Sequence, residues 1–314
     1  MSVWILLVVV AQFLNAIVAV IDKYIVTARV VHKPITYAFY VSILSVFAIF
    51  VFFFSWVEIP LDGVSIPSIE NVGFPNIEIL LLSVIAGFAF FGSLVALFTA
   101  LRDADTSDVI PVVGAFSAIG SFVLSFYFLE FSLTHNFLWG FALLVIGTLL
   151  ISLFRFLKAQ TLLVAIVSGL LFATHFVCLK VLFGYTHFDN AFFWSRVGIV
   201  IPALLVFVLP WIQIHPKKKA MSAEVPRKNA IAIILGNKLL AGIASIMILK
   251  SIELGEVSIV QALGGLQFVF LLMFAVISGK SLPQACGERC SRYDVWQKII
   301  SVSIITAGFF VLFL

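Results

Sequence analysis

The sequence predicts an all-α integral membrane protein, with ten transmembrane helices arranged as two inverted five-helix repeats. Three observations predict it. The first is composition: of 314 residues, 63% are hydrophobic and 11% charged, and the mean hydropathy is +1.21. Soluble domains are roughly 45–50% apolar and about 25% charged. A water-facing surface needs charge, so no soluble core absorbs this excess. The second is a succession of apolar runs near the 20 residues that cross a hydrocarbon layer. The third is that the chain echoes itself at about half its length. The net charge of +4 resides in loops and reads as membrane topology, which argues against a nucleic-acid surface. Three cysteines cannot build a disulfide framework.

The spans follow in order. The first, 3–22, begins at Val3 without a basic leader and so reads as a span and not as a cleaved signal. Its run ends in "VIDKYIV", where Asp22 and Lys23 mark either a membrane edge or a site. Pro34 opens the second, 34–55, as proline does in a first helical turn. The third and fourth, 78–101 and 109–128, are joined by "RDADTSD", too short for anything but an antiparallel hairpin. The fifth and sixth are 136–154 and 161–183. The seventh, 190–211, contains Pro202, expected to kink it. The eighth, ninth and tenth are 230–250, 257–277 and 295–314. Lys and Arg crowd the loops after odd-numbered spans, whereas loops after even spans hold only Lys180 and Lys250. That bias places both termini outside and the "HPKKKAMSAEVPRKN" loop in the cytoplasm.

The internal echo has three parts. "AIVAVIDKYIV" faces "ATHFVCLKVLF", so that Lys23 meets Lys180. "ALRDADTSDVIPVVG" faces "SIELGEVSIVQALGG", with Asp105 over Glu256 and Gly114 over Gly265. "LLVIGTLLI" faces "SIITAGFFVLF", with Gly147 over Gly308. The copies are residues 1–157 and 158–314. Each holds five spans, and an odd number makes the second copy enter from the opposite side, giving an inverted repeat with a site expected near the midplane.

On these residues the chain resembles the drug/metabolite transporter superfamily in its EamA-like branch. A Lys closes spans one and six, an acidic turn follows span three, and "FYFLEFSLTHNFLWGFALLVIGTLLIS" is similar to the family's acidic residue, Leu-Thr turn and glycine-bearing last helix. "FFWSRVGIVIPALLVF" looks like its arginine-bearing second helix of a repeat. The resemblance implies the five-plus-five fold and secondary transport. The chain departs from the pattern at several places. "SGKSLP" has no acid opposite Glu130, Tyr40 stands opposite Arg196, and 278–294 adds "QACGERCSRYDV". Many members begin with a basic residue, implying a cytoplasmic N-terminus. That orientation would put Cys286 and Cys290 outside, where a disulfide can form.

A charge at a helix centre costs from roughly 2.5 to over 10 kcal/mol, so polar residues inside spans face the bundle or a wet cavity. In span one, Gln12, Asn15, Ala19 and Asp22 share a stripe within roughly 80°. They read as cavity lining or as interhelical hydrogen bonding. In span two, Tyr37 reads as interfacial belt and the deeper Tyr40 as belt or cavity. His175 reads as a hydrogen-bonded structural residue or a proton-coupling group. Lys180 reads as snorkelling to the interface. Trp194 and Arg196 lie on span seven. Arg196, about 10 Å in from Asp189, reads as snorkelling or as site lining, and in a cavity it would favour a carboxylate or phosphate. Asn237 and Lys238 lie deep in span eight, where Lys238 reads as cavity lining or as paired with Asp22 or with a helix-end carbonyl, and Gln261 shares a face of span nine with Ser258 and Gly265. The stripe Pro111, Gly114, Ala118, Ser121 and Ser125 reads as close helix packing.

Other motifs carry less. "DADTSD" suggests N-capping before a glycosyltransferase motif. "CGERC" has the wrong spacing for redox work and no zinc partners, and no phosphate loop is present. The expectation is a non-enzymatic secondary transporter without cofactor or metal. It would alternate access around Asn15, Asp22, Tyr40, His175, Trp194, Arg196, Asn237, Lys238 and Gln261, in a cell or inner membrane. Its substrate would be a small anionic or zwitterionic metabolite such as an amino acid, with coupling to protons or a counter-substrate left open. The alternatives are a lipid-carrier flippase subunit, an intramembrane enzyme, or a channel or scaffold.

Overall fold

The structure, a computed structural model, describes residues 3–27, 33–57, 64–104, 106–129, 135–151, 157–208, 227–277 and 292–312. The described residues fold into α1 (Val3–Thr27), α2 (Pro34–Ser45), α3 (Ile77–Asp103), α4 (Thr106–Phe128), α5 (His135–Leu150), α6 (Ala159–Tyr185), α7 (Phe188–Val208), α8 (Arg227–Leu254), α9 (Val257–Ala262), α10 (Leu266–Ile277) and α11 (Arg292–Leu312). A 3₁₀ segment, Val46–Phe54, continues α2, and a 3₁₀ turn, Leu263–Gly265, joins α9 to α10. Among the described residues seven helices are long and apolar enough to cross a membrane, and three shorter apolar stretches are Phe137–Leu150, Val257–Leu271 and Ile299–Val311. The protein is a multipass helical membrane protein. The "HPKKKAMSAEVPRKN" loop up to Pro226, Glu130, Asp105, Cys286, Cys290 and the side chain of Lys23 lie outside the described residues.

Seven of the expected spans recur as helices long and apolar enough to cross a membrane, several with longer ends. Apolar periodicity reports the hydrocarbon part of a helix, and hydrogen bonding carries the backbone further. Asp22 therefore lies inside α1 and not at its end. Lys180 and Lys250 likewise lie inside α6 and α8. α7 passes through Pro202 as one helix. Pro34 sits at the start of α2, as its missing N–H permits. Asn76 caps α3, accepting from the Ile79 amide at 2.8 Å, with Glu78 and Arg102 placed to complement the helix dipole. Glu256 is the N-cap residue of α9, and its side chain makes no capping bond.

The 3₁₀ run after α2 is long for its type, and its sequence explains it. Three residues per turn eclipse positions i and i+3. Phe47, Phe50 and Phe53 occupy such positions and stack at 5.6 and 5.8 Å between centroids. All three face outward, as rings do against lipid, while Phe52 turns inward against Phe192.

Packing relies on close backbone approach, because lipid offers no hydrophobic drive between helices. The tightest crossing joins α3 to α7: a Cβ on Gly87 would lie 2.1 Å from the Gly198 carbonyl oxygen, and one on Gly198 2.1 Å from that of Ser83. α6 meets α4 where a Cβ on Gly169 would lie 2.6 Å from the Val113 carbonyl oxygen, and one on Gly120 2.8 Å from the Ala173 Cβ. The expected α4 stripe is only partly this face: Ala118, Ser121 and Ser125 are buried, but Gly114 opens onto space. α5 packs on α11, where a Cβ on Gly147 would meet Ile305 and one on Gly308 would meet Leu144. Further contacts join α3 with α6 and α1 with α8.

The segment before α3 is tied to the start of α7. Asp189 Oδ2 accepts from the Ser68 amide at 3.0 Å and from Asn71 Nδ2 at 2.7 Å. Asn190 Oδ1 accepts from the Gly73 amide at 3.2 Å, and Trp194 Nε1 donates to the Gly73 carbonyl at 3.0 Å.

Candidate functional site

The site is built where α1, α2 and α8 meet. Asp22 Oδ1 accepts from Lys238 Nζ at 2.7 Å, from Asn237 Nδ2 at 2.6 Å and from the Tyr37 hydroxyl. The side chains of Lys238 and Asp22 are 9% and 14% exposed, so the pair is largely removed from water. The Lys238 ammonium also lies 4.9 Å over the Tyr37 ring, and that ring packs on Phe98 of α3 at 4.4 Å. The Asn237 Oδ1 is buried without a donor among the described residues. Asp22 lies about a turn and a half from the end of α1, and Lys238 about three turns into α8. The cluster thus sits off the midplane, toward the side where α1 ends and α8 begins. Chemically it is one carboxylate oxygen that accepts from three donors on two other helices. Losing a donor or gaining a proton would loosen α1, α2 and α8 together.

The remaining candidates are scattered. Asn15 Nδ2 donates to Gln12 Oε1 at 3.4 Å, and its backbone carbonyl accepts from Gln267 Nε2 at 3.2 Å. Gln261 Oε1 accepts from Ser117 Oγ at 3.1 Å, tying α9 to α4. His175, 2% exposed, bonds through Nδ1 to the Ala86 carbonyl at 2.8 Å between the rings of Phe90 and Phe176. Tyr40 is 45% exposed and stands apart from the cluster. Trp194 is held by the Gly73 carbonyl at the edge of α7. Arg196 is 3% exposed, with its guanidinium carbon 5.0 Å over the Phe192 ring.

Tyr37 is the member of the Asp22 cluster that the sequence does not reveal. Its place in the first turn of α2 suggests an interfacial ring, yet it is 1% exposed. Helical phase puts Tyr37 and Tyr40 about 60° apart, too close to tell which faces inward. Lys180 also departs from expectation. Instead of snorkelling, its ammonium donates to the carbonyls of Ile252, Glu253 and Gly255 at 2.9, 3.1 and 2.9 Å. That arrangement closes the C-terminal end of α8, where unpaired carbonyls favour a cation. Beside it lies a cavity of about 410 Å³ between the ends of α4, α6 and α8, with Lys180 and Glu253 in its wall. Nearby, Lys250 pairs with Glu253 at 2.6 Å and lies over the Phe188 ring.

No protein-family model matches the chain, and no curated protein matches it. Among solved structures, 26 chains match. One, a crystal structure of another protein, superposes with a TM-score of 0.67 at 14% identity, covering 99% of this chain and 97% of its own. At that identity the likeness establishes a shared fold over the whole length.

Proposed function

We propose that the protein is a secondary transporter of a small metabolite, working by alternating access without covalent chemistry, and that it belongs with the EamA-like branch of the drug/metabolite transporters. The observation that carries this reading is the buried Asp22 cluster. A carboxylate and an ammonium inside a membrane bundle are expensive and mark substrate or ion pathways. Here they join helices of the first half (α1 and α2) to one of the second (α8). Such a pair stabilises little over an apolar isostere, so packing alone does not account for it.

Ten spans in two inverted repeats underlie the proposal, α9 and α10 counting as one span. Several contacts support the repeat. It exchanges the α3–α6 contact with α8–α1, and both are extensive. It maps the α5–α11 pair onto itself, and the contact of Gly147 with Ile305 returns as that of Gly308 with Leu144. On this reading α5 and α11 are peripheral, and α1–α4 and α6–α10 rock around the site. Both termini face outside, from the distribution of Lys and Arg. Uptake from an isotope-labelled cell extract into proteoliposomes tests the reading. The expected result is accumulation of at least one small molecule above protein-free vesicles, and none would contradict it.

A further inference from the structure

We propose that Arg196 is an oxyanion subsite of the carrier, holding a carboxylate or phosphate of the transported molecule. The inference rests on the transport reading above and names the substrate class that reading leaves open.

Three observations carry it. First, Arg196 is 3% exposed, and neither Nε nor Nη2 finds an acceptor among the described residues. A guanidinium stays charged in any protein, and an uncompensated buried charge is strongly unfavourable. The two orphaned nitrogens form a single edge of the guanidinium. That edge presents two parallel N–H donors, the fork that matches the two oxygens of a carboxylate or phosphate.

Second, the other buried cations are already satisfied. Lys238 pairs with Asp22 and Lys250 with Glu253, and Lys180 is taken by three carbonyls. Asp108, also deeply buried, has a partner of its own. Among the described residues Arg196 is the deeply buried ion left without one, so the unmet demand inside the bundle is for one negative charge.

Third, its placement suits a ligand. Phe192, Arg196, Ile199 and Ala203 run along one buried stripe of α7. Phe192 packs in the cluster that holds Leu179 of α6 and Leu249 of α8. Ala203 packs in the cluster that holds Tyr37 and Phe98. Arg196 therefore lies between two apolar clusters on the inward face of α7. The Phe192 ring lies over one face of the guanidinium, so that contact does not take up the edge carrying Nε and Nη2.

The test uses the purified protein in detergent, titrated with propionate or inorganic phosphate against chloride at matched ionic strength. The expected result is a saturable rise in wild-type unfolding temperature with one of the two oxyanions. Arg196→Met should unfold at or above the wild-type temperature without oxyanion, because it removes an unpaired charge, and should not respond to oxyanion. Arg196→Lys, which keeps the charge and loses the fork, should bind about tenfold more weakly or worse. A wild type with no saturable response overturns the proposal, as does a response that either variant keeps in full. If Arg196→Met does not fold, Arg196→Lys decides. Proteoliposome uptake separates the two readings. Accumulation only of neutral or cationic compounds leaves the carrier standing and removes the subsite. An Arg196-dependent oxyanion response without uptake does the reverse.

Discussion

At the scale of single residues, the account turns on a carboxylate with three donors. Removing one member of a buried pair leaves the other charge stranded, which costs about 3–5 kcal/mol, while replacing both is often neutral. Asp22→Asn and Lys238→Met should each lower the unfolding temperature clearly, and the double variant should recover most of the loss. Additive losses in the double variant would show that the two side chains do not act as a pair. This pairing was half legible in the sequence. The stripe Gln12, Asn15 and Asp22 shows that Asp22 faces inward, and Lys238 lies deeper than a solvated lysine should. Tyr37 and Asn237 complete the cluster from neighbouring helices. Tyr37 was not legible as a donor, because helical phase orders residues around one helix and does not say which neighbour each arc meets.

At the scale of elements, contacts between backbone and side chain decide which helices stay joined. The α3–α7 crossing leaves no room for a Cβ at Gly198, where the Ser83 carbonyl would lie at 2.1 Å. Gly198→Val should therefore force the helices apart and destabilise the protein, by at least the 1–3 kcal/mol typical of overpacking, and a wild-type unfolding temperature would contradict that crossing. Lys180→Met removes an ammonium that three carbonyls share at the end of α8, and charge-assisted hydrogen bonds contribute about 1.5–3 kcal/mol. Hydrogen exchange near Ile252 to Gly255 should rise in this variant more than at the core of α8, and uniform protection would argue against a capping role. Helix existence was legible from apolar length, whereas helix ends were not. The sequence marks where hydrocarbon stops, and the backbone continues until a cap or a partner such as Lys180 ends it. The stacked Phe47, Phe50 and Phe53 were visible as a three-residue period only once the 3₁₀ geometry was known.

At the scale of the whole molecule, the extensive contacts between the two halves of the chain join α3 to α6, α4 to α6, α5 to α11, α3 to α7 and α1 to α8. On the proposed repeat, the close α3–α7 crossing corresponds to the pair α8 and α2, where contact is sparse. There the Tyr37 hydroxyl and Lys238 share Asp22 in place of touching backbones. On that proposal the protein is tight on one side of the pseudo-twofold axis and joined by polar side chains on the other, which supports the reading of a carrier with one gate closed. Reporter fusions at the two termini should both read as external, and a cytoplasmic signal from either would overturn the charge-based orientation. The most direct test of the central claim is uptake by the folded Asp22→Asn, Lys238→Met double variant beside wild type in proteoliposomes. The account predicts that wild type accumulates a metabolite and that the double variant, of near wild-type stability, loses about tenfold or more of that rate, the equivalent of roughly 1.4 kcal/mol. Equal uptake by the two proteins would contradict it.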